Sequence, residues 1–358
     1  MSPLVNASIP DSLVPPRRRA SRAVLVLGSL AMLLILVVIV AVSVGPVRIP
    51  FLDTIVILLD QVSPESSGGS RHELVVETIR LPRVLVALLV GMALAVAGTI
   101  MQALFRNPLA DPGVTGVSSG AAAGSVLVLA GGATAAGRWV LPAAAFTGAL
   151  AALILVHMVA AVRRDRSAAT LLLIGIALNA LLGAVISAVI ANVPDDRDVR
   201  GIVFWLNGDL VARTWEHVGM AVLPVALGVA ASLVFTRDLN MLLLGEGAAQ
   251  AAGVDVVRTR RVLLTLAAVI TGASVAVAGA IGFVGLVVPH LVRLAIGPDH
   301  RLLLPASALL GGSFLVLADL GARMLFSPVI LQTGTVTALI GAPVFLLLVL
   351  RRKRKATP

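Results

Sequence analysis

The sequence predicts an all-α polytopic membrane protein with about ten transmembrane helices, and three observations carry that expectation. Of 358 residues, 58% are hydrophobic and only 13% charged, with a mean hydropathy of +1.03. Soluble domains average roughly half apolar and a quarter charged. The apolar residues lie in continuous runs, not in the period-two alternation of an outer-membrane barrel. Each crossing of a hydrocarbon core about 30 Å thick needs roughly 20 apolar residues, so the chain has room for about ten.

The runs follow one another along the chain. A Pro/Arg-rich segment, 1–22, ends in "RRRASR" and reads as a disordered cytoplasmic tail. The first run, 23–44, is longer than the roughly 7–15 apolar residues of a signal peptide and is expected to stay as a first helix. An external segment, 45–83, holds the amphipathic "FLDTIVILLD" and the flexible "SPESSGGS". The second run, 84–105, leads into "MQALFRNPLADPGVTG" at 101–116. Asn-Pro and Asp-Pro are strong turn formers, so this is expected to be a tight cytoplasmic turn carrying Arg106. Runs 114–131 and 139–162 follow, then the basic "RRDR", then 168–193. The external segment 192–217 has a short apolar centre of its own and predicts a short interfacial helix. After run 218–235 comes the longest internal segment, 237–261, where helix-forming stretches are broken by glycines.

Residues 262–296 are too long for one crossing and short for two. Basic residues mark cytoplasmic segments, and both chain ends are basic ("RRRASR" and "RRKRK"). Both termini are therefore expected in the cytoplasm, which requires an even number of crossings. The segment divides into 262–281 and 282–296, followed by 302–320 and 335–350. The expected ten-helix transmembrane body is 23–352, with a basic tail at 353–358.

Composition also excludes functions. The net charge of +10 fits basic cytoplasmic loops, not nucleic-acid binding. With no cysteine, disulfides, thiolate metal sites and cysteine nucleophiles are ruled out. There is no "GxxxxGK[ST]" phosphate loop, so the chain does not bind ATP through one, and if transport is powered the energy must enter from a partner. No "HExxH" and no Ser/Lys or Asp/Asp constellation points to catalysis, and neither a metal nor another cofactor is implied. A secondary transporter is the alternative, although such proteins usually carry ionisable groups at the midplane. Here the helix centres hold Gln102 and Asn179. The one acid within an apolar run, Asp319, lies near an end, spaced to pair with Arg323 at i,i+4. His290 and Arg293, after Pro289, read as the inner end of a short helix.

An internal repeat adds to the transport reading. "AVAGTI" at 95–100 recurs as "AVAGAI" at 276–281, with prolines 108 and 289 at the same spacing. "LPAAAFTGA" at 141–149 recurs as "LPASALLGG" at 304–312. The pairs are helices two and seven, then four and nine. An offset of five helices inverts the copies, helices 2–5 against 7–10, as in many transporter folds.

Taken together, "RLPRVLVALLVGMALAVAGTIMQALFRNPLADPGVTGVSSGAAAG" (80–124), "GAIGFVGLVVPHLVRLAIGPDHRLLLPASALLGGSFLVLADLGAR" (279–323) and "TGTVTALIGAPVFLLLVLRR" (333–352) resemble the permease subunits of bacterial ABC importers for ferric siderophores, haem and vitamin B12. The resemblance covers nearly all of the chain after the tail. It implies ten helices per subunit, a second permease subunit in a homo- or heterodimer, two cytoplasmic ABC ATPase subunits and an extracytoplasmic substrate-binding protein. It further implies residence in the bacterial cytoplasmic membrane and no resident cofactor. By that resemblance Arg80, Arg83 and Arg323 are external docking residues for glutamates of the binding protein. The segment 244–257 resembles a coupling element seated on the ATPase, with Gly245, Glu246, Ala249, Ala252 and Gly253 as contacts. Helix five, with Thr170, Gly175 and Asn179, resembles a pathway-lining helix. Asn107 and Leu109 of the "NPL" stretch are implied gate residues. Ferric siderophores are the expected substrate, with haem or cobalamin as the alternatives.

Overall fold

The computed structural model describes residues 16–45, 47, 49–60, 71–162, 167–325, 329 and 331–353. The expected tail up to residue 15, the "SPESSGGS" stretch, the "RRDR" stretch and the basic tail after residue 353 lie outside the described residues. Among those described, seven helices are long and apolar enough to cross a membrane, and three shorter apolar ones run 117–130, 284–296 and 333–347. Each of the ten expected crossings thus has a helix.

The chain begins with α1 (Pro16–Ser43), α2 (Phe51–Asp60) and α3 (Arg71–Leu74). A π-helical stretch, Val75–Arg80, leads directly into α4 (Leu81–Leu104). Next come a 3-10 turn at Pro112–Thr115, α5 (Val117–Ala130), a second 3-10 turn at Ala133–Ala136, α6 (Val140–Val162) and α7 (Ala168–Ala191). The interfacial helix expected in 192–217 is α8 (Asp196–Leu206), followed by α9 (Trp215–Val234). The internal segment forms α10 (Thr236–Leu243) and α11 (Glu246–Ala251). The remaining helices are α12 (Val256–Ala278), α13 (Val284–Ile296), α14 (His300–Met324) and α15 (Thr333–Lys353). Helix α1 starts before the apolar run, so 16–22 belong to a helix and not to the tail expected there.

Polar residues set many of the helix starts. Side-chain oxygens of Asp111, Ser167, Asp195, Asp255 and Asp299 accept from backbone amides at the first turns of the elements they precede. These amides have no partner within their own helix, and in an apolar medium an unmet amide is costly.

Helix α4 is the axis of the bundle. Of its most apolar window 78% is buried, against 6% for α1 and 11% for α7. Its neighbours are α14, α12, α9 and α13. Glycine sets the closest approaches. A methyl group on Gly91 would run into the Gly311 carbonyl of α14, and one on Gly98 into the Gly285 carbonyl of α13. Gly120 and Gly148 bring α5 onto α6 in the same way. Lipid supplies no hydrophobic drive between helices, so close van der Waals packing must hold them, and small residues permit it.

The repeat appears with a difference between its copies. Gly98 lies in unbroken helix, whereas its counterpart Gly279 ends α12 with φ of +70°. A Cβ at Gly279 would strike the Trp205 carbonyl. The chain then turns at Phe283, φ +68°, and restarts as α13. Pro108 consequently lies in a turn beyond α4, while Pro289 lies inside α13. The matched prolines do not end equivalent helices, because the second copy breaks early at its glycine.

Gly98→Ala is expected to lower stability by about 1–3 kcal/mol through overpacking. Gly183→Ala in α7, where nothing lies within 4 Å, should be neutral or stabilising by up to ~1 kcal/mol. Thermal unfolding of the two purified variants checks this.

Candidate functional sites

At the end of the bundle where α4 begins, one carboxylate organises several cations. Asp319 of α14 is 1% exposed. The Arg83 guanidinium grips it side-on, Nε donating to Oδ1 and Oδ2 at 3.1 and 3.0 Å and Nη2 to Oδ1 at 2.8 Å. Arg323 Nε approaches Oδ2 at 3.2 Å, one helical turn away as its spacing predicts, and the Thr333 hydroxyl donates to Oδ1 at 3.0 Å. Arg323 and a further arginine, Arg80, close the end of α1. Arg80 donates to the carbonyls of Val42 and Ser43, both at 2.7 Å, and to that of Val47. Arg323 Nη2 donates to the Ala41 carbonyl at 3.2 Å. The last carbonyls of a helix lack intrahelical partners, and cations suit that end of its dipole.

The structure therefore brings Arg80, Arg83 and Arg323 together, buried at 4%, 8% and 8% exposure, with donors committed inside the chain. Two further members of this neighbourhood had only weak sequence signals. Asp209 is buried between Arg83 and Arg213; burial pushes its carboxyl up, opposed by the Val211 amide and the two arginine charges. Arg213 in turn donates to the Asp209 carbonyl at 3.0 Å. The i,i+4 spacing of Asp209 and Arg213 was the available sequence signal.

A second polar junction joins α4 to α13. Pro289 has no N–H, so the Gly285 carbonyl four residues earlier loses its helical partner. Gln102 replaces it: Nε2 donates to the Gly285 carbonyl at 3.2 Å and to that of Leu286 at 3.1 Å. Gln102 Oε1 accepts from Arg293 Nη1 at 2.8 Å. Arg293 thus reaches back onto α4 and does more than mark the inner end of α13.

The proposed gate and pathway residues serve local geometry. Asn107 Oδ1 accepts from the Leu109 amide at 3.0 Å, building the turn, and both residues are exposed. Arg106 before them has φ of +46°. Thr170 closes the Ser167 cap of α7. Asn179 Nδ2 donates to the Gly113 carbonyl at 3.0 Å, and Gly175 lies against the Val114 carbonyl. Both residues hold α7 against the 3-10 turn after α4.

The segment 237–261 forms a compact knob at the same end as this turn. Gly245, φ +109°, separates α10 from α11, and Gly253, φ +83°, ends the unit. Ala252 and Gly253 are exposed and Gly245 is half-buried, but Ala249 is fully buried in a hydrophobic cluster. Ala249 therefore faces the chain's own core, a correction to its expected place among outward contacts. Glu246 accepts from Arg260 of α12. Asn240 of α10 donates to Asp299 at 2.7 Å, and its Oδ1 accepts from the buried His300 amide at 2.9 Å. The knob is thus tied to α12 and to the start of α14.

Known proteins resemble the chain over most of its length. The model of the FecCD transport family matches residues 33–351. The cobalamin import system permease protein BtuC of Halobacterium salinarum is 47% identical, covering 79% of this chain and 75% of that protein. The hemin transport system permease protein HmuU of Yersinia pestis is 44% identical, covering 77% and 83%. A solved structure described as an inward-facing conformation of a metal-chelate type ABC transporter superposes with a TM-score of 0.80 at 32% identity, covering 91% and 98%.

Two outcomes follow from the polar junctions. Asp319→Asn removes the carboxylate that Arg83 and Arg323 share and should cost about 3–5 kcal/mol. Thr333→Val should cost only about 1 kcal/mol; unfolding temperatures of both variants measure the contrast. Gln102→Leu should be less damaging when combined with Pro289→Ala, because the restored N–H can serve the Gly285 carbonyl. A double-mutant cycle on stability reads that coupling.

Proposed function

Because the chain belongs to the FecCD transport family and is an ABC importer permease, we propose that it carries a bulky metal chelate across the membrane, with ferric siderophores as the substrate class. The family match over residues 33–351, which includes both copies of the repeat, supports the importer reading, and the likeness to a metal-chelate type transporter supports a chelate as cargo. Cobalamin is the second reading, favoured by the 47% identity to a cobalamin permease; haem is a third, from the hemin permease.

Permeases of this type are multi-pass membrane proteins that work with ATPase and substrate-binding partners and, in general, a second permease subunit. In this proposal both termini face the cytoplasm. The α10–α11 knob meets the ATPase through Gly245, Glu246, Ala252 and Gly253. ATP hydrolysis belongs to that separate subunit, and its motion enters through the knob's ties to α12 and α14. The turn after α4, with Asn107 and Leu109, adjoins the knob: a methyl group on Gly245 would lie 3.7 Å from the Arg106 guanidinium. That proximity supports a gate that senses the ATPase. The binding protein docks at the opposite end. Arg80, Arg83 and Arg323 act there by exchanging internal acceptors for glutamates of the partner, or by shaping the surface it meets.

Vesicles containing the permease, its ATPase and its binding protein should take up a labelled ferric siderophore only with ATP inside, and take up cobalamin or haem at least about tenfold more slowly. Faster entry of cobalamin or haem would reassign the substrate, and entry driven by an ion gradient without ATP would overturn the importer reading. Charge reversal at Arg80, Arg83 and Arg323 should abolish stimulation by the binding protein. Unchanged stimulation would remove them from docking.

A further inference from the structure

A cleft of about 450 Å³ opens where α6, α7 and α12 meet, at the end of the bundle that carries the knob. Its wall is apolar, formed by Ile154 and Met158 of α6, Leu171 of α7 and Leu264 of α12. Ile154 and Met158 are more than half exposed, at 56% and 60%, so the cleft opens outward from the bundle. Its rim is basic. Arg261 is exposed there, Arg260 lies beside it in its pair with Glu246, and His157 lines the α6 side. Val257 and Leu171, in the first turns of α12 and α7, also line it. Two helix N-termini therefore add their positive dipole ends. The nearby Asp255 carboxylate is occupied as the cap of the Arg258 amide.

We propose that this cleft holds one anionic glycerophospholipid from the bilayer, its phosphate at Arg261 and an acyl chain between Ile154, Met158 and Leu264. The charge pattern selects this occupant: an apolar slot at membrane depth with a cationic rim complements an anionic head on a hydrocarbon tail, and basic pockets between transmembrane helices are suited to such lipids. A free phosphate would leave the apolar wall uncovered. The site adjoins the Arg260–Glu246 pair, so the lipid head lies next to the contact that ties α11 to α12. The inference rests on the membrane reading of the fold, not on the transported substrate.

The test uses the purified full chain, titrated with phosphatidylglycerol or phosphatidylcholine of identical acyl chains, with bound lipid counted by native mass spectrometry. The wild type should prefer phosphatidylglycerol, and Arg261→Gln should lower its binding about five-fold while leaving phosphatidylcholine unchanged. Ala161 also lines the cleft, and Ala161→Trp, which narrows the slot and keeps the charges, should weaken both lipids. Equal binding of the two lipids by the wild type, a preference that survives Arg261→Gln, or displacement by millimolar inorganic phosphate would each overturn the proposal. So would lipid binding that Ala161→Trp leaves intact while it shifts the chain between monomer and dimer, since a second copy would then own the cleft. No uptake is measured, so failure of the importer reading would show separately.

Discussion

Helix α4 is enclosed by protein along nearly its whole length, and the other elements are arranged around that constraint. An enclosed helix in a bilayer has neither water nor lipid to accommodate misfit, so its neighbours approach to backbone contact at Gly91 and Gly98. Its polar groups must find partners within the chain. Arg83 in its first turn reaches Asp319 of α14, and Gln102 in its last turn reaches α13 and Arg293. The cationic cluster at one end and the "NPL" turn at the other are therefore joined by one rod with little freedom to bend.

The same demand for partners explains the buried charges. Arg80 and Arg323 close the carbonyl end of α1, and Asp319 neutralises Arg83 and Arg323 at once. Removing the acid would take away the carboxylate both cations share, whereas removing Thr333 would delete a single hydrogen bond. The proline inside α13 creates a vacancy that a side chain from another helix fills. Breaks at Gly279 and Phe283 make α13 short, and Gln102 makes the short helix tolerable in an apolar surrounding. These are arginine, glutamine and glycine solutions to a backbone problem.

The α10–α11 knob follows a different rule. Its outer face is small and exposed, while Ala249 and Leu239 anchor its inner face in the core. Asn240 donates to Asp299 at the start of α14, and Glu246 accepts from Arg260 of α12. A partner pressing on the knob would push on two long helices at once, both of which pack along α4.

The ten crossings were legible in the sequence because crossing a bilayer demands long apolar runs, and no tertiary context can cancel that demand. The split of 262–296, the short helix in 192–217 and the Asp319–Arg323 spacing were readable for the same reason: period, length and charge are local properties. The pairing of Arg83 with Asp319, 236 residues apart, was not. Nor was the inward turn of Ala249 or the service of Gln102 to Gly285. Each depends on which helix faces which, a question that glycine contacts and backbone satisfaction settle only once the bundle has closed. The repeat shows the division most plainly. The sequence by itself determined that two copies share "AVAG", and only the tertiary structure decided that the second copy breaks at its glycine, where the Trp205 carbonyl occupies the space a Cβ would need.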